Sequence, residues 1–358
     1  MELPLQPPVE PMLAKAVDRI PEGRYAYEPK WDGFRAIVFR DGGEVEITSR
    51  NGRAMNRYFP ELVEAFRKGL PEKSVVDGEI ILVSDGGTRL DFDLLQQRIH
   101  PAASRVELLA QQTPASFVAF DLLALGNTNL ADAPFRERRA ALEQALGAAG
   151  GRLHLTRQTL DPQTAAEWFE LFEGAGLDGV VAKDLAGPYE PGKRSMYKIK
   201  HRRTADCVLA GYRLHKSGDD RIGSLLLGLY DDDGVLANVG VVGALPMQRR
   251  KELFEELQPL VTWDSSHPWT QAGQDAGTRT PRNAEGSRWS GTKDLSFTPL
   301  RPERVIEVAY DHMEGDRFRH PPSFVRWRPD REPESCGYAQ LDEPVRFDLA
   351  DVLQAPPG

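Results

Sequence analysis

The spacing of apolar and polar positions changes along the chain, and the changes mark its elements. Residues 34–39 (FRAIVF) and 45–49 (VEITS) read as short strands. Asp41-Gly42-Gly43 between them is a hairpin signal. Phe59, Leu62, Val63 and Phe66 then recur at helical spacing, which predicts an amphipathic helix over residues 58–68, ended by Gly69 and Pro71. Residues 74–83 and 117–123 are apolar runs of strand length, yet Asp77, Glu79 and Asp121 interrupt them. Acids in such runs are costly unless they are paired. Helices are predicted over 90–99, from Pro134 to Gly147, and over 164–173, with a turn and strand over 176–183.

After Arg203 the pattern shifts to short strands joined by Gly- and Asp-rich turns. Residues 207–213, 224–230, 235–242, 305–310 and 324–327 are the predicted strands, and 248–257 the one helix. Several short strands with a single helix predict a small β-barrel. Residues 262–296 are rich in Ser, Gly, Thr and Asp and are expected to be a solvated loop insertion. Residues 1–27 read as an extended lead-in, and 356–358 as a frayed tail.

Composition narrows the class. A length of 358 residues suggests two domains. The two cysteines, Cys207 and Cys336, exclude a four-cysteine zinc site and a disulfide framework. No apolar run reaches the ~20 residues needed to span a membrane. The start, Met1-Glu2-Leu3-Pro4, does not read as a signal peptide, so a reducing cytoplasm is expected. A net charge of −9 argues against blanket binding to nucleic acid. The basic run over 193–203 (KRSMYKIKHRR) leaves one local surface for a phosphate partner.

The candidate chemistry begins at Lys30, in Glu28-Pro29-Lys30-Trp31-Asp32-Gly33-Phe34-Arg35. A lysine amine is a nucleophile when nearby cations favour its neutral form and a phosphate lies in reach. Asp32-Gly33 turns the chain sharply, and an ordinary turn with a solvated lysine is the plainer reading of these residues alone. Glu79 is a hard oxygen ligand for Mg²⁺ or an acceptor for a ribose hydroxyl, or else one half of a strand-edge ion pair. Phe120 can stack on a purine or fill the core. Asp178 can bind a metal or simply sit in a turn, and Lys183 ends the strand that follows. Lys198 and Lys200 alternate, which puts both on one face of a strand, where they repel each other unless a phosphate lies between.

Taken in order, the chain carries Lys30-x-Asp32-Gly33, Ser49-Arg50-x-Gly52, Asp77-Gly78-Glu79, Phe120-Asp121, Asp178-Gly179-Val180-Val181-Ala182-Lys183 and Lys198-Ile199-Lys200. This set resembles the covalent nucleotidyltransferase superfamily, most closely the ATP-dependent DNA ligases of the small bacterial ligase C group. Pro11-Met12-Leu13-Ala14 is similar to the ligase lead-in, and residues 314–330 to the last ligase motif.

The resemblance implies an α+β fold. An adenylation (nucleotidyltransferase) domain of antiparallel sheets and helices, ATP-grasp-like, would cover residues 1–202. An OB-fold β-barrel would cover 203–358, with a loop insertion near 262–296. It implies a monomer that uses ATP with Mg²⁺ or Mn²⁺, seals nicks in double-stranded DNA during repair alongside repair-pathway proteins, and works in the cytoplasm at the nucleoid. Lys30 matches the nucleophile that carries AMP. Glu28 matches an adenine contact, Arg35 and Arg50 phosphate and ribose contacts, and Phe120 the adenine-stacking aromatic. Glu79 matches a ribose or metal acid and Asp178 a metal acid. Lys183, Lys198 and Lys200 match nucleotide-binding lysines, the last two at the α-phosphate. Arg326 and Arg328 match the motif that orients pyrophosphate. Three departures stand out. Asp178 occupies a position usually held by Glu, Asp330-Arg331 stands where the motif usually ends in Asp-Lys, and Pro321-Pro322 holds an extra proline within that motif.

Overall fold

The computed structural model describes residues 1–84, 86–147, 150–201, 203–270, 280–281, 296–341 and 347–353. They form two compact units: Met1–Lys200 with Pro344–Gly358, and His201–Glu343. The first begins with β1 (Ala14–Ala16), β2 (Tyr25–Pro29), β3 (Phe34–Asp41), β4 (Glu44–Ser49), α1 (Pro60–Gly69) and β5 (Lys73–Ile81). It continues through α2 (Phe92–Gln97), α3 (Ala103–Gln112), β6 (Ser116–Leu125), β7 (Thr128–Asn129), α4 (Phe135–Leu146) and β8 (Leu153–Leu155). α5 (Pro162–Leu171), β9 (Val180–Asp184) and β10 (Met196–Ile199) complete its main body.

These strands make two sheets. One has the order β1-β10-β9-β2; the other runs β4-β3-β5-β6-β7, with β8 added beside β6. β3 shows why the second sheet reads as a continuous apolar run. Ala36 and Val38 join the core beneath α1 and α4, whereas Ile37 and Phe39 join a second core with Met12, Tyr189 and Met196. Successive side chains point to opposite faces, and here both faces are buried. Arg35 shares the parity of Ile37 and Phe39, and Glu79 that of Val75 and Asp77, so strand alternation places both on the same side as the second core.

Two of the three acids inside β5 and β6, Asp77 and Asp121, are paired. The Arg35 guanidinium binds both oxygens of the fully buried Asp77, at 2.6 and 2.5 Å. Arg138, on α4, does the same to the buried Asp121, at 2.8 and 3.0 Å. Removing one partner of such a pair costs about 3–5 kcal/mol, because the other charge is left uncompensated.

The second unit contains β11 (Arg203–His215), β12 (Gly218–Tyr230), β13 (Leu236–Val242), α6 (Met247–Leu257), β14 (Thr298–Tyr310), β15 (Met313–Glu314), β16 (Arg317–Phe318) and β17 (Ser323–Trp327). Its main sheet is antiparallel, in the order β13-β12-β11-β14-β17. No ladder joins β13 to β17 among the described residues, so the expected barrel is an open sheet there. The architecture is consistent with the OB-fold expectation without the closure.

Two further expectations change. The start of the supposed insertion is packed rather than solvated. Trp269 is 1% exposed and donates its indole N–H to the Leu236 carbonyl at 2.8 Å. The buried His267 lies with Nε2 2.9 Å from the Leu300 carbonyl and 3.1 Å from that of Ala210, and its Nδ1 accepts from the Trp269 amide at 3.1 Å. Residues 271–279 and 282–295 of that insertion, and the tail at 356–358, lie outside the described residues. The described C-terminal residues, expected with the second domain, pack in the first unit instead. There α7 (Leu349–Leu353) buries Leu349 and Val352.

A neutral His267 satisfies this arrangement, and burial lowers its pKa below the ordinary 6.5. The unfolded chain therefore binds the proton more readily. The stability contributed by this residue is fully present above about pH 6.5 and falls as the pH drops below it. Thermal unfolding at pH 7.5 and 5.5 checks this, with a smaller pH difference expected in His267→Gln. Trp269→Ala is expected to destabilise the second unit by about 3–5 kcal/mol, read from chemical denaturation.

Candidate active site

Two short segments are tied together at the ends of their strands. β2 pairs with β9 in a register that sets Pro29 opposite Val180. Immediately beyond, the Lys30 amide donates to the Gly179 carbonyl at 2.8 Å, and the Asp178 amide donates to the Lys30 carbonyl at 2.9 Å. The nucleophile candidate and the metal-ligand candidate are thus set face to face by backbone alone. Lys30 Nζ donates to Asp178 Oδ2 at 2.5 Å. Lys200 Nζ reaches the same oxygen at 3.1 Å.

Two glycines beside these segments run close to the backbone of neighbouring strands. A Cβ on Gly179, whose φ is +126°, would lie 2.1 Å from the Ile199 carbonyl oxygen. A Cβ on Gly33 would lie 2.1 Å from that of Ile80. Both contacts are with backbone, which cannot rotate away.

Positive charge exceeds negative charge here. Lys198, on β10, is half-buried, and its pKa is lowered first by burial and then by Lys30, Lys200 and Arg50. Arg50, just past β4, is exposed and makes no hydrogen bond or ion pair among the described residues. Glu79 is half-buried, and no hydrogen bond or ion pair engages its carboxylate among the described residues. Burial raises its pKa to about 7, against the pull of Arg35 and Lys30. Two hard-oxygen carboxylates, one of them unpartnered, are the donor set a divalent ion such as Mg²⁺ takes. The excess of cations suits a phosphate.

A buried polar cluster lies behind this surface. Lys183 is 3% exposed; its Nζ lies 2.8 Å from Glu28 Oε2 and donates to the Phe120 carbonyl at 2.9 Å. Glu28 Oε1 is buried and accepts no hydrogen bond among the described residues, with Arg139 Nη1 3.7 Å away. The Phe120 ring is 7% exposed, with Arg35 4.4 Å and Lys183 4.8 Å from its centroid. Arg35 is held by Asp77, which also accepts from the Tyr189 hydroxyl at 2.6 Å. Tyr189 in turn accepts from the Met12 amide at 3.0 Å. Trp31, next to Lys30, donates its indole N–H to Thr156 Oγ1 at 2.8 Å.

Arg326 and Arg328 belong to the second unit and are engaged there. Arg326 Nε lies 2.5 Å from Glu307. Arg328 binds both oxygens of Asp206 at 2.9 Å and also pairs with Asp330.

The geometry therefore brings Lys30, Asp178 and Lys200 into direct contact, with Lys198, Arg50 and Glu79 close enough for charge to be felt. It groups Glu28, Lys183, Phe120 and Arg35 through contacts behind them. Tyr189, Arg139, Thr156 and Trp31 were not among the sequence candidates. The one available signal was the cost of an unpaired Asp77, which calls for partners such as Arg35 and Tyr189 without identifying them.

Residues 11–200 match the family model of the ATP dependent DNA ligase domain, and residues 218–331 that of the ATP dependent DNA ligase C terminal region. The chain is 61% identical to DNA ligase C of Mycobacterium tuberculosis, covering 99% of both chains. It is 62% identical to DNA ligase C2 of Mycolicibacterium smegmatis, covering 96% of this chain and 97% of that one. In structure it is similar to a Lig E DNA ligase, with a TM-score of 0.54 and 16% identity over 89% of this chain and 99% of that one, which bears on the fold alone. With both regions matched and relatives this similar over nearly its whole length, the chain belongs to the ATP-dependent DNA ligases.

Proposed function

We propose that this chain seals nicks in duplex DNA by carrying AMP on Lys30. The observation that carries the reading is the meeting of Lys30 and Lys200 on one oxygen of Asp178, with Lys198 beside them. Such a cluster of like charges is favoured when an anion sits within it, and the α-phosphate of ATP is that anion.

In the first step the neutral Lys30 amine attacks the α-phosphorus. An N–P bond forms, the bond from phosphorus to the bridging oxygen breaks, and pyrophosphate leaves with the electron pair. The amine proton leaves along the hydrogen bond to Asp178. In the second step a 5′-phosphate oxygen at the nick attacks the same phosphorus, the N–P bond breaks, and AMP passes to the DNA. In the third step the 3′-hydroxyl attacks the 5′-phosphorus, AMP departs, and a phosphodiester remains. Covalent catalysis of this kind divides one difficult displacement into easier ones.

Lys198 and Lys200 are assigned to the α-phosphate oxygens, and Arg35 and Arg50 to the phosphate and ribose side. Glu28 and Phe120 are assigned to the adenine, with Lys183 fixing the Glu28 carboxylate. Arg326 and Arg328 are assigned to pyrophosphate. Glu79 and Asp178 would hold Mg²⁺ or Mn²⁺, which when bound neutralises charge developing at phosphorus. The protein acts as a monomer in the cytoplasm at the nucleoid, with repair-pathway proteins as its further partners.

Lys30→Ala is expected to lower covalent adduct formation with α-labelled ATP and metal by more than about 10³-fold, read on a denaturing gel. The same variant should still seal a pre-adenylated nick, because Lys30 is not a reactant once AMP is on the DNA. A normal adduct in Lys30→Ala would sink the assignment. Arg328→Ala is expected to slow adduct formation more than sealing of a pre-adenylated nick; the opposite order would assign Arg328 to the DNA instead.

A further inference from the structure

The chain's last described residues fill a core directly behind the nucleophile. α7 contributes Leu349 and Val352, both essentially unexposed, to a cluster with Trp31, Ile81, Phe120, Phe172 and Leu177. Phe347 extends it, its ring centroid 5.2 Å from that of Phe172. Three members of the cluster bear directly on the site. Trp31 follows Lys30, Leu177 precedes Asp178, and Phe120 is itself a candidate site residue.

The segment is also bonded in place. The Leu349 amide donates to the Thr88 carbonyl at 2.8 Å. Arg157 Nε donates to the Val352 carbonyl at 3.0 Å. Arg157 follows Thr156, whose hydroxyl receives the Trp31 indole N–H at 2.8 Å. A continuous chain of contacts therefore runs from α7 through residues 156–157 to Trp31, one residue from the nucleophile.

We propose that Leu349 and Val352 are positioning residues for self-adenylation, holding Lys30 in its attacking place through Trp31. The proposal rests on Lys30 being the nucleophile. Both residues sit in the apolar cluster and act through Trp31, setting where Lys30 Nζ lies. A misplacement on the order of 1 Å at such a centre can cost ~10²-fold in rate.

The test uses the full chain in three variants, Leu349→Ala, Val352→Ala and the volume-conserving Leu349→Met, with the exposed Asp351→Ala as control. Two rates are measured on each at a temperature where circular dichroism shows it folded. One is single-turnover lysyl-adenylate formation across ATP concentrations; the other is sealing of a pre-adenylated nick, in which Lys30 does not react. The expected result for Leu349→Ala is an adenylation rate at saturating ATP about tenfold or more below the parent. Half-saturating ATP should move less than about threefold and nick sealing should stay within about threefold, while Leu349→Met and Asp351→Ala follow the parent. If Leu349→Ala does not fold, Val352→Ala supplies the same ratio with a smaller cavity. Unchanged adenylation overturns the proposal, and so does an equal fall in both rates, which is what general loosening of the fold produces. A parent protein that forms no adduct overturns the Lys30 reading itself, which separates the two failures.

Discussion

Two backbone hydrogen bonds, between residue 30 and residues 178–179, carry more of this structure than any side chain does. They join strands separated by about 150 positions in sequence and oppose an amine to a carboxylate without using either group. Because the backbone does the holding, Lys30 Nζ and Asp178 keep their side-chain chemistry for a substrate. The glycines at 33 and 179 meet a separate constraint from the neighbouring strands: the carbonyl oxygens of Ile80 and Ile199 sit where a Cβ would otherwise be. The excess of positive charge arises here too, since Lys198 on β10, the strand beside β9, and Lys200 just past its end both arrive at this point. An amine cluster fixed in this way favours an anion within it.

Much of the first unit was legible in the chain. The hairpin of β3 and β4, helix α1 and the apolar strands β5 and β6 all follow from period and turn chemistry, within a residue or two at their ends. What was not legible has physical causes. β2 begins after a proline-rich lead-in and contains Pro29, and its pairing with β9 depends on residues far away in sequence. α3 buries only Val106 and Leu109, too little to stand out as a periodic face. α7 is five residues long, and its place in the first unit is a matter of tertiary packing, which no local pattern encodes. Trp269 and His267 were hidden in a polar stretch because two residues make no period, although they seal the second unit's core.

The candidate site divides along the same line. Lys30, Asp178, Lys198, Lys200, Glu79 and Arg50 were identified as an ordered set, and the structure brings them near one another. Their supporting partners were not, because a partner such as Tyr189 or Thr156 is chosen by geometry and has no distinctive residue type. Arg326 and Arg328 show how far identity alone reaches. Their positions could be named from the motif, but their pairing with Glu307, Asp206 and Asp330 could not.

The buried pair of Asp121 and Arg138 also constrains how this chain can drift over generations. Either residue changed alone leaves a full charge in the core, and a lineage that takes that step loses much of the small margin by which a domain stays folded. Changing both together to apolar residues of similar volume removes the uncompensated charge, at the loss of the hydrogen bonds to the Ala133 and Gly187 carbonyls and from the Leu122 amide. A single change therefore has to cross a valley in stability, which ties the two residues together. Seventeen positions apart on different elements, Asp121 and Arg138 are free only to change in concert.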